Sequence, residues 1–337
     1  MTTRVYVANA ESRDIAVLRL EAERGELVEL QRLPVGGAVM PLAAHPSGRV
    51  LYASLRSEPW TVLALAIDPG SGRLAEIGRA PLPASMCWIS TDRRGRFLLS
   101  ASYGSHCVAV SPIAGDGSVG AAQQVVETEP NAHAVQVDPT HRWALAACLG
   151  GGVVRVFRFD AETGRLVDHE PPAWQARPGA GPRHFVFHPT RPLVYLLHEL
   201  DASIDVLSFH PQRGELRREQ TLSALPPAST HPDPWAADLH MTPDGRFLYA
   251  SERRSSTLAG FAVDPASGHL AFLGSVPTET QPRGFAITPD GRFLFAVGQR
   301  SGRLLRYRIG ADGALEKLGD QPVGADPNWV EIVVLPG

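Results

Sequence analysis

An all-β, seven-bladed propeller with four-stranded blades is the fold this sequence predicts. Three observations carry it: two phrases that each recur seven times in one phase, and no convincing amphipathic run of helical length. The first phrase is a turn followed by an apolar strand. It reads HPSGRVLYAS from His45, TDRRGRFLLS from Thr91, DPTHRWALAA from Asp138, HPTRPLVYLL from His188, TPDGRFLYAS from Thr242 and TPDGRFLFAV from Thr288. The chain opens on a seventh copy without its turn, TRVYVANA. Aligned positions are Tyr6, Tyr52, Leu99, Leu145, Tyr195, Tyr249 and Phe295, about 46 residues apart, stretched to 50 and 54 around the fourth and fifth copies. The second phrase is Gly-x-Leu or Gly-x-Val, at Gly25, Gly72, Gly117, Gly164, Gly214, Gly268 and Gly313, with the same two long intervals.

Each unit divides into four short β-rich runs, A to D from the channel outwards. In the sixth these are GFAI, RFLFAVG, LLRYRI and ALEKLG. The turn Pro289-Asp290-Gly291 between A and B suits a tight hairpin, because Pro presets φ and Gly accepts a positive φ. The spacing is also that of WD-repeat propellers, but the Trp-Asp signature is missing. The chain begins on a B strand (RVYVANA) and ends on an A strand (NWVEIVVL), so the terminal strands are expected to share and close the last blade. Residues 1–337 are expected to form one propeller domain.

Composition narrows the function. The chain has 337 residues, 44% hydrophobic and 20% charged, which suits a large core. A net charge of −3 argues against a general attraction to nucleic acid or anionic membrane. No apolar run is long enough to span a bilayer as a helix. Cys87, Cys107 and Cys148 show no pairing pattern or metal spacing and read as buried thiols of a reducing compartment. With no basic-then-apolar leader in MTTRVYVANAES, the expected location is the cytoplasm.

Strands A and B are antiparallel, so the start of A and the end of B share one rim. The A positions are Met40, Cys87, His133, Arg183, Ala237, Arg283 and Asn328; the B positions are Ala10, Arg56, Tyr103, Leu149, Glu199, Arg253 and Gln299. Two arginines, a histidine and a glutamate thus converge on one mouth, with Trp235, Asp238 and Trp329 near it. One arginine alone would more simply pair with a loop carboxylate; the set together marks a functional site. Other candidates are weaker. His184 and His188 lie about 13 Å apart along a strand, too far to share a metal, and His188 takes the turn position of His45. Asp238 and His240 share a strand face as a structural pair that could also reach a ligand. Gly150-Gly151-Gly152 precedes no helix and is a turn, not a phosphate loop. Ser102 and Ser105 lack a nucleophile elbow. The run from His231 to Pro234 lies in the longest insertion, where a flap over the mouth and an ordinary loop fit equally.

The phrases GPRHFVFHP, WAADLHMTPDGRFLYA, ETQPRGFAITPDGRFLFAVGQ and VYVANAES resemble the propeller-type 6-phosphogluconolactonases of bacteria, within a wider lactonase and cycloisomerase family. The similarity runs in order over essentially the whole chain; the lead-in to His133, EPNAHAVQVDP, departs from the pattern. The resemblance implies the same propeller and hydrolysis of 6-phosphogluconolactone, a step of the pentose phosphate pathway. It also implies an active-site set of His133, Arg183, Glu199 and Arg283, the same four that converge on the rim. A metal-free lactonase without cofactor is expected, acting on a small sugar lactone. Glu199 or His133 would serve as base, the other as acid; one arginine would stabilise the oxyanion and the other grip a phosphate or carboxylate. Pairing of Glu199 with Arg183 would favour His133 as base. Arg56, Trp235, Asp238, Arg253, Asn328 and Trp329 are the expected substrate contacts. The alternatives are a lactonase for unphosphorylated aldono- or aldarolactones, a muconate-type lactonizing cycloisomerase, and a non-catalytic binding propeller. A Ca²⁺-dependent lactonase would want more carboxylates at the mouth.

Overall fold

The computed structural model describes residues 2–226 and 233–335. Its 28 strands form seven four-stranded antiparallel sheets. Blades 1 to 6 are consecutive in sequence: 39–81, 88–127, 132–175, 182–223, 236–277 and 282–322. Blade 7 joins the last strand (Pro327–Leu335) to the first three (Thr2–Asn9, Asp14–Glu21 and Glu26–Pro34), as the terminal phrases predict. The seven A strands contact one another in a closed ring, so no blade has a free inner edge. No helix occurs among the described residues. His231 and Pro232 lie outside those residues.

The two sequence phrases are in phase because they touch. The hydroxyl of the aligned tyrosine in one blade donates to the carbonyl of the marker glycine in the next. Tyr6 reaches Gly72 at 2.9 Å, Tyr52 reaches Gly117 at 3.0 Å, Tyr195 reaches Gly268 at 2.9 Å and Tyr249 reaches Gly313 at 2.8 Å. Each hydroxyl is buried, so this bond spares it a desolvation penalty of about 1–3 kcal/mol. The glycine itself is obligatory. At Gly164 φ is +72°, and a Cβ would stand 2.4 Å from Phe97 of the neighbouring blade. The A–B turn has its own logic. The first residue of HP, TP or DP accepts the turn's N–H groups with its side chain: Asp138 takes Arg142 and Trp143, and Thr288 takes Phe293. His188 takes the N–H of Thr190 in the same way, which confirms its structural role.

Blade cores are the inward faces of neighbouring sheets. Leu, Val, Ala and aromatic side chains from adjacent blades pack into clusters that each span a blade junction. This leaves strand A to line the channel and sets where the polar rim residues stand.

Candidate active site

The rim residues are backbone irregularities. In blade 3, Ala132 pairs with Cys148 and Ala134 with Ala147, so His133 has no partner opposite it. The same slip isolates Arg183, Arg283 and Asn328. All four are the extra residue of a β-bulge, a device that turns a side chain out of the pleat. Two positions before each stands a residue with positive φ: Asn131 at 64°, Gly181 at 74°, Gln281 at 60° and Asp326 at 51°. For the three that are not glycine this left-handed conformation is strained. The sequence carries a signal for the bulge beyond strand direction: three of the four rim residues directly follow a proline, in GPR, QPR and DPN.

Arg183 is 1% exposed. Its Nε donates to Glu199 Oε2 at 2.7 Å, and its Nη1 lies 3.1 Å from His184 Nε2. Nη2 makes no hydrogen bond to any described residue. Glu199 Oε2 also meets Arg253 Nη2 at 2.9 Å, and Oε1 accepts the Trp235 indole N–H at 3.1 Å. Burial pushes the Glu199 carboxyl up, but Arg183 and Arg253 outweigh it and hold it below the usual range. Arg253 is equally committed. It donates to the carbonyls of Trp235 and Ala236, and its guanidinium stacks on the Trp235 ring at 3.7 Å.

His133 is buried beside the rings of His184 and Tyr103, at centroid distances of 5.0 and 5.8 Å. Burial first, then Arg183, His184, Arg283 and Arg253, hold its pKa well below the ordinary value, so the imidazole is neutral at physiological pH. Its Nδ1 is enclosed without a partner among the described residues. Nε2, which is not enclosed, likewise has none.

The opposite wall is different. Arg283 Nε lies against the Met40 sulfur at 3.1 Å, and no carboxylate among the described residues pairs with its guanidinium. Burial, with Arg183 and Arg56 nearby, brings its pKa down to about 10, so it stays cationic. Arg56 on the same wall is exposed and has no ion-pair partner among the described residues. Asn328 is buried; its amide N–H groups donate to Val39 and Asp326, and Oδ1 has no partner among the described residues. Trp329 packs its ring edge-on to Trp88.

Two expected substrate contacts are relocated. Asp238 lies beneath the site, its oxygens taken by four protein groups: His184, His240 and the N–H groups of Leu239 and Phe285. Arg253, fully engaged with Glu199 and two carbonyls, is a brace and not a free phosphate ligand. The Asp238–His240 pair is as expected, Oδ2 to Nε2 at 3.1 Å. The three cysteines are buried and unpaired. Among the described residues no group of three or more His, Cys, Asp or Glu side chains is placed to hold a metal.

A closed propeller with a strained, arginine-rich mouth around a neutral histidine defines a class: a ring-shaped protein whose mouth is suited to stabilising anionic charge. The comparisons make the class specific. Residues 3–332 match the family model described as "Lactonase, 7-bladed beta-propeller". The chain is 43% identical to a 6-phosphogluconolactonase of Pectobacterium carotovorum and 41% identical to one of Serratia proteamaculans, over 98% of both chains in each case. Among solved structures it superposes on the periplasmic gluconolactonase of Pseudomonas aeruginosa with a TM-score of 0.93, at 29% identity and with 100% of each chain covered. The chain belongs to the seven-bladed lactonase family, and it is a lactone hydrolase.

Proposed function

We propose that the enzyme hydrolyses 6-phosphoglucono-1,5-lactone to 6-phosphogluconate, the lactone step of the pentose phosphate pathway, without a metal. The observation that carries this is the division of the mouth. One wall holds two arginines that share the single carboxylate of Glu199 around a neutral histidine; the other holds Arg283 and Arg56, cations with no carboxylate partner among the described residues. The first wall suits the carbonyl and the second suits the phosphate. The names of the relatives support the same substrate.

In this reading His133 Nε2 takes a proton as water adds to C1. The carbonyl oxygen becomes an oxyanion facing Arg183 Nη2, whose other nitrogens are held by Glu199 and His184. As the intermediate collapses, the C1–O5 bond breaks and the imidazolium returns the proton to O5. The carboxylic acid so formed loses its proton to solvent. Glu199 fixes Arg183 and Arg253 and takes no proton, since both its oxygens are already occupied. Arg283 grips the phosphate, with Arg56 adding charge from the exposed side. The three free, buried cysteines support a cytoplasmic setting, which cell fractionation would test.

The likeness to a gluconolactonase gives a second reading, an unphosphorylated sugar lactone as substrate. Rates on fresh 6-phosphoglucono-δ-lactone and glucono-δ-lactone, each with and without EDTA, separate the two. A large preference for the phosphorylated substrate, insensitive to EDTA, is expected; equal or faster hydrolysis of the plain lactone defeats the phosphate assignment. The pH profile tests the base. Only neutral His133 accepts a proton, so kcat/KM should fall on the acid side, with a midpoint well below pH 6.5. An acid limb that persists unchanged in His133→Gln would remove His133 from the role.

A further inference from the structure

We propose that His184 and Asp238 are positioning residues for Arg183, acting as a couple that sets where its free nitrogen points. The geometry dictates the tautomer. Arg183 Nη1 can only donate, so His184 Nε2, 3.1 Å away, must accept. The ring proton therefore sits on Nδ1 and is given to Asp238 Oδ1 at 2.8 Å. Asp238 is in turn held by donors from two blades. The N–H of Leu239 lies 3.0 Å from Oδ1, and the N–H of Phe285, in blade 6, lies 3.2 Å from Oδ2. His240 Nε2 completes the set at 3.1 Å.

The consequence for Arg183 is a guanidinium fixed at two points. Glu199 holds Nε by charge, and His184 holds Nη1 by a neutral acceptor that adds no competing negative charge. A carboxylate at that place would attract the same nitrogen but would also draw the cation's field away from the oxyanion. The same imidazole packs edge-on against His133, so one ring registers the arginine and the base against each other. Neither His184 nor Asp238 has to touch substrate for this: both are buried below the mouth.

The proposal rests on Arg183 facing the lactone carbonyl, and its test separates the two ideas. Histidine-selective ¹⁵N NMR on the native enzyme should show His184 as a neutral ring with Nδ1 protonated and Nε2 bare; an Nε2-protonated or cationic ring overturns the proposal whatever Arg183 does. Kinetically, His184→Phe keeps an aromatic ring and removes both the acceptor for Arg183 and the donor to Asp238. It should lower kcat by about 10- to 100-fold with KM within about threefold, the signature of a loss confined to the transition state. His184→Gln, whose Oε1 can stand in for Nε2, should recover most of that loss. In an Arg183→Ala background His184→Phe should cost at most about twofold further. Full loss in both backgrounds, or no rescue by Gln in a folded variant, would make His184 merely structural. If Arg183→Ala itself keeps its rate, the carbonyl assignment fails while the NMR result stands.

Discussion

Arg183 and Arg283 occupy the same bulge in two blades, each behind a proline, and the structure gives them opposite surroundings. At the end of strand B, sixteen residues on, blade 4 supplies Glu199 and blade 6 supplies Gln299. Glu199 pairs with Arg183; Gln299 instead bonds to Gln281 and Asp326 and leaves Arg283 alone. The next residue differs too. His184 follows Arg183 and holds it, whereas Gly284 follows Arg283, and a Cβ there would strike the Asn328 carbonyl at 2.6 Å. One arginine is thus buried and held against a carboxylate it shares with Arg253, the other a half-buried cation with no ion-pair partner among the described residues. An anionic group arriving from solvent gains more from the free one, since the other's charge is partly met by Glu199. A developing oxyanion needs a fixed, preorganised donor more than a strong net charge.

The most severe way to break this contrast is Glu199→Gln. It leaves Arg183 and Arg253 buried without their counter-charge, and a stability loss of about 3–5 kcal/mol is expected by chemical denaturation. An unchanged midpoint would mean that Glu199 braces neither arginine. Next is Arg183→Ala, which should reduce kcat by about 10²- to 10³-fold on phosphorylated and plain lactone alike, with little effect on KM. A smaller and more selective effect belongs to Arg283→Ala: KM for the phosphorylated lactone should rise about 10- to 100-fold while the plain lactone hardly responds. If both lactones suffer equally, Arg283 serves the carbonyl and the two walls exchange roles. Gln299→Glu sharpens the comparison by giving blade 6 the residue of blade 4. It should raise KM for the phosphorylated lactone by about three- to tenfold and leave kcat nearly intact. No change in KM would mean that a carboxylate at position 299, facing Asp326, does not pair with Arg283.

Much of the architecture is legible in the amino-acid sequence. Two phrases in phase give the blade count, because a tyrosine hydroxyl and a marker glycine of adjacent blades must meet in every repeat that carries both. Strand direction then puts His133, Arg183, Glu199 and Arg283 on one rim. The misplacements have a physical cause as well. Asp238 reads as a rim acid by its position, one residue after Ala237. Only the packing of blade 5 between blades 4 and 6 shows that four donors already surround it. Arg253 looks free until Glu199 is seen to serve two arginines at once.

The sequence alone determined the repeat, the hairpin turns, the closure by the terminal strands and the ring of candidate side chains. The turns rest on interactions between chain neighbours, and the rest follows from a period that any copy of the unit displays. Only the tertiary structure decided which arginines are paired, which histidine is bare and which acid is buried. Those outcomes depend on side chains from three or four blades converging through bulges, and on the field they make together, which no single repeat encodes.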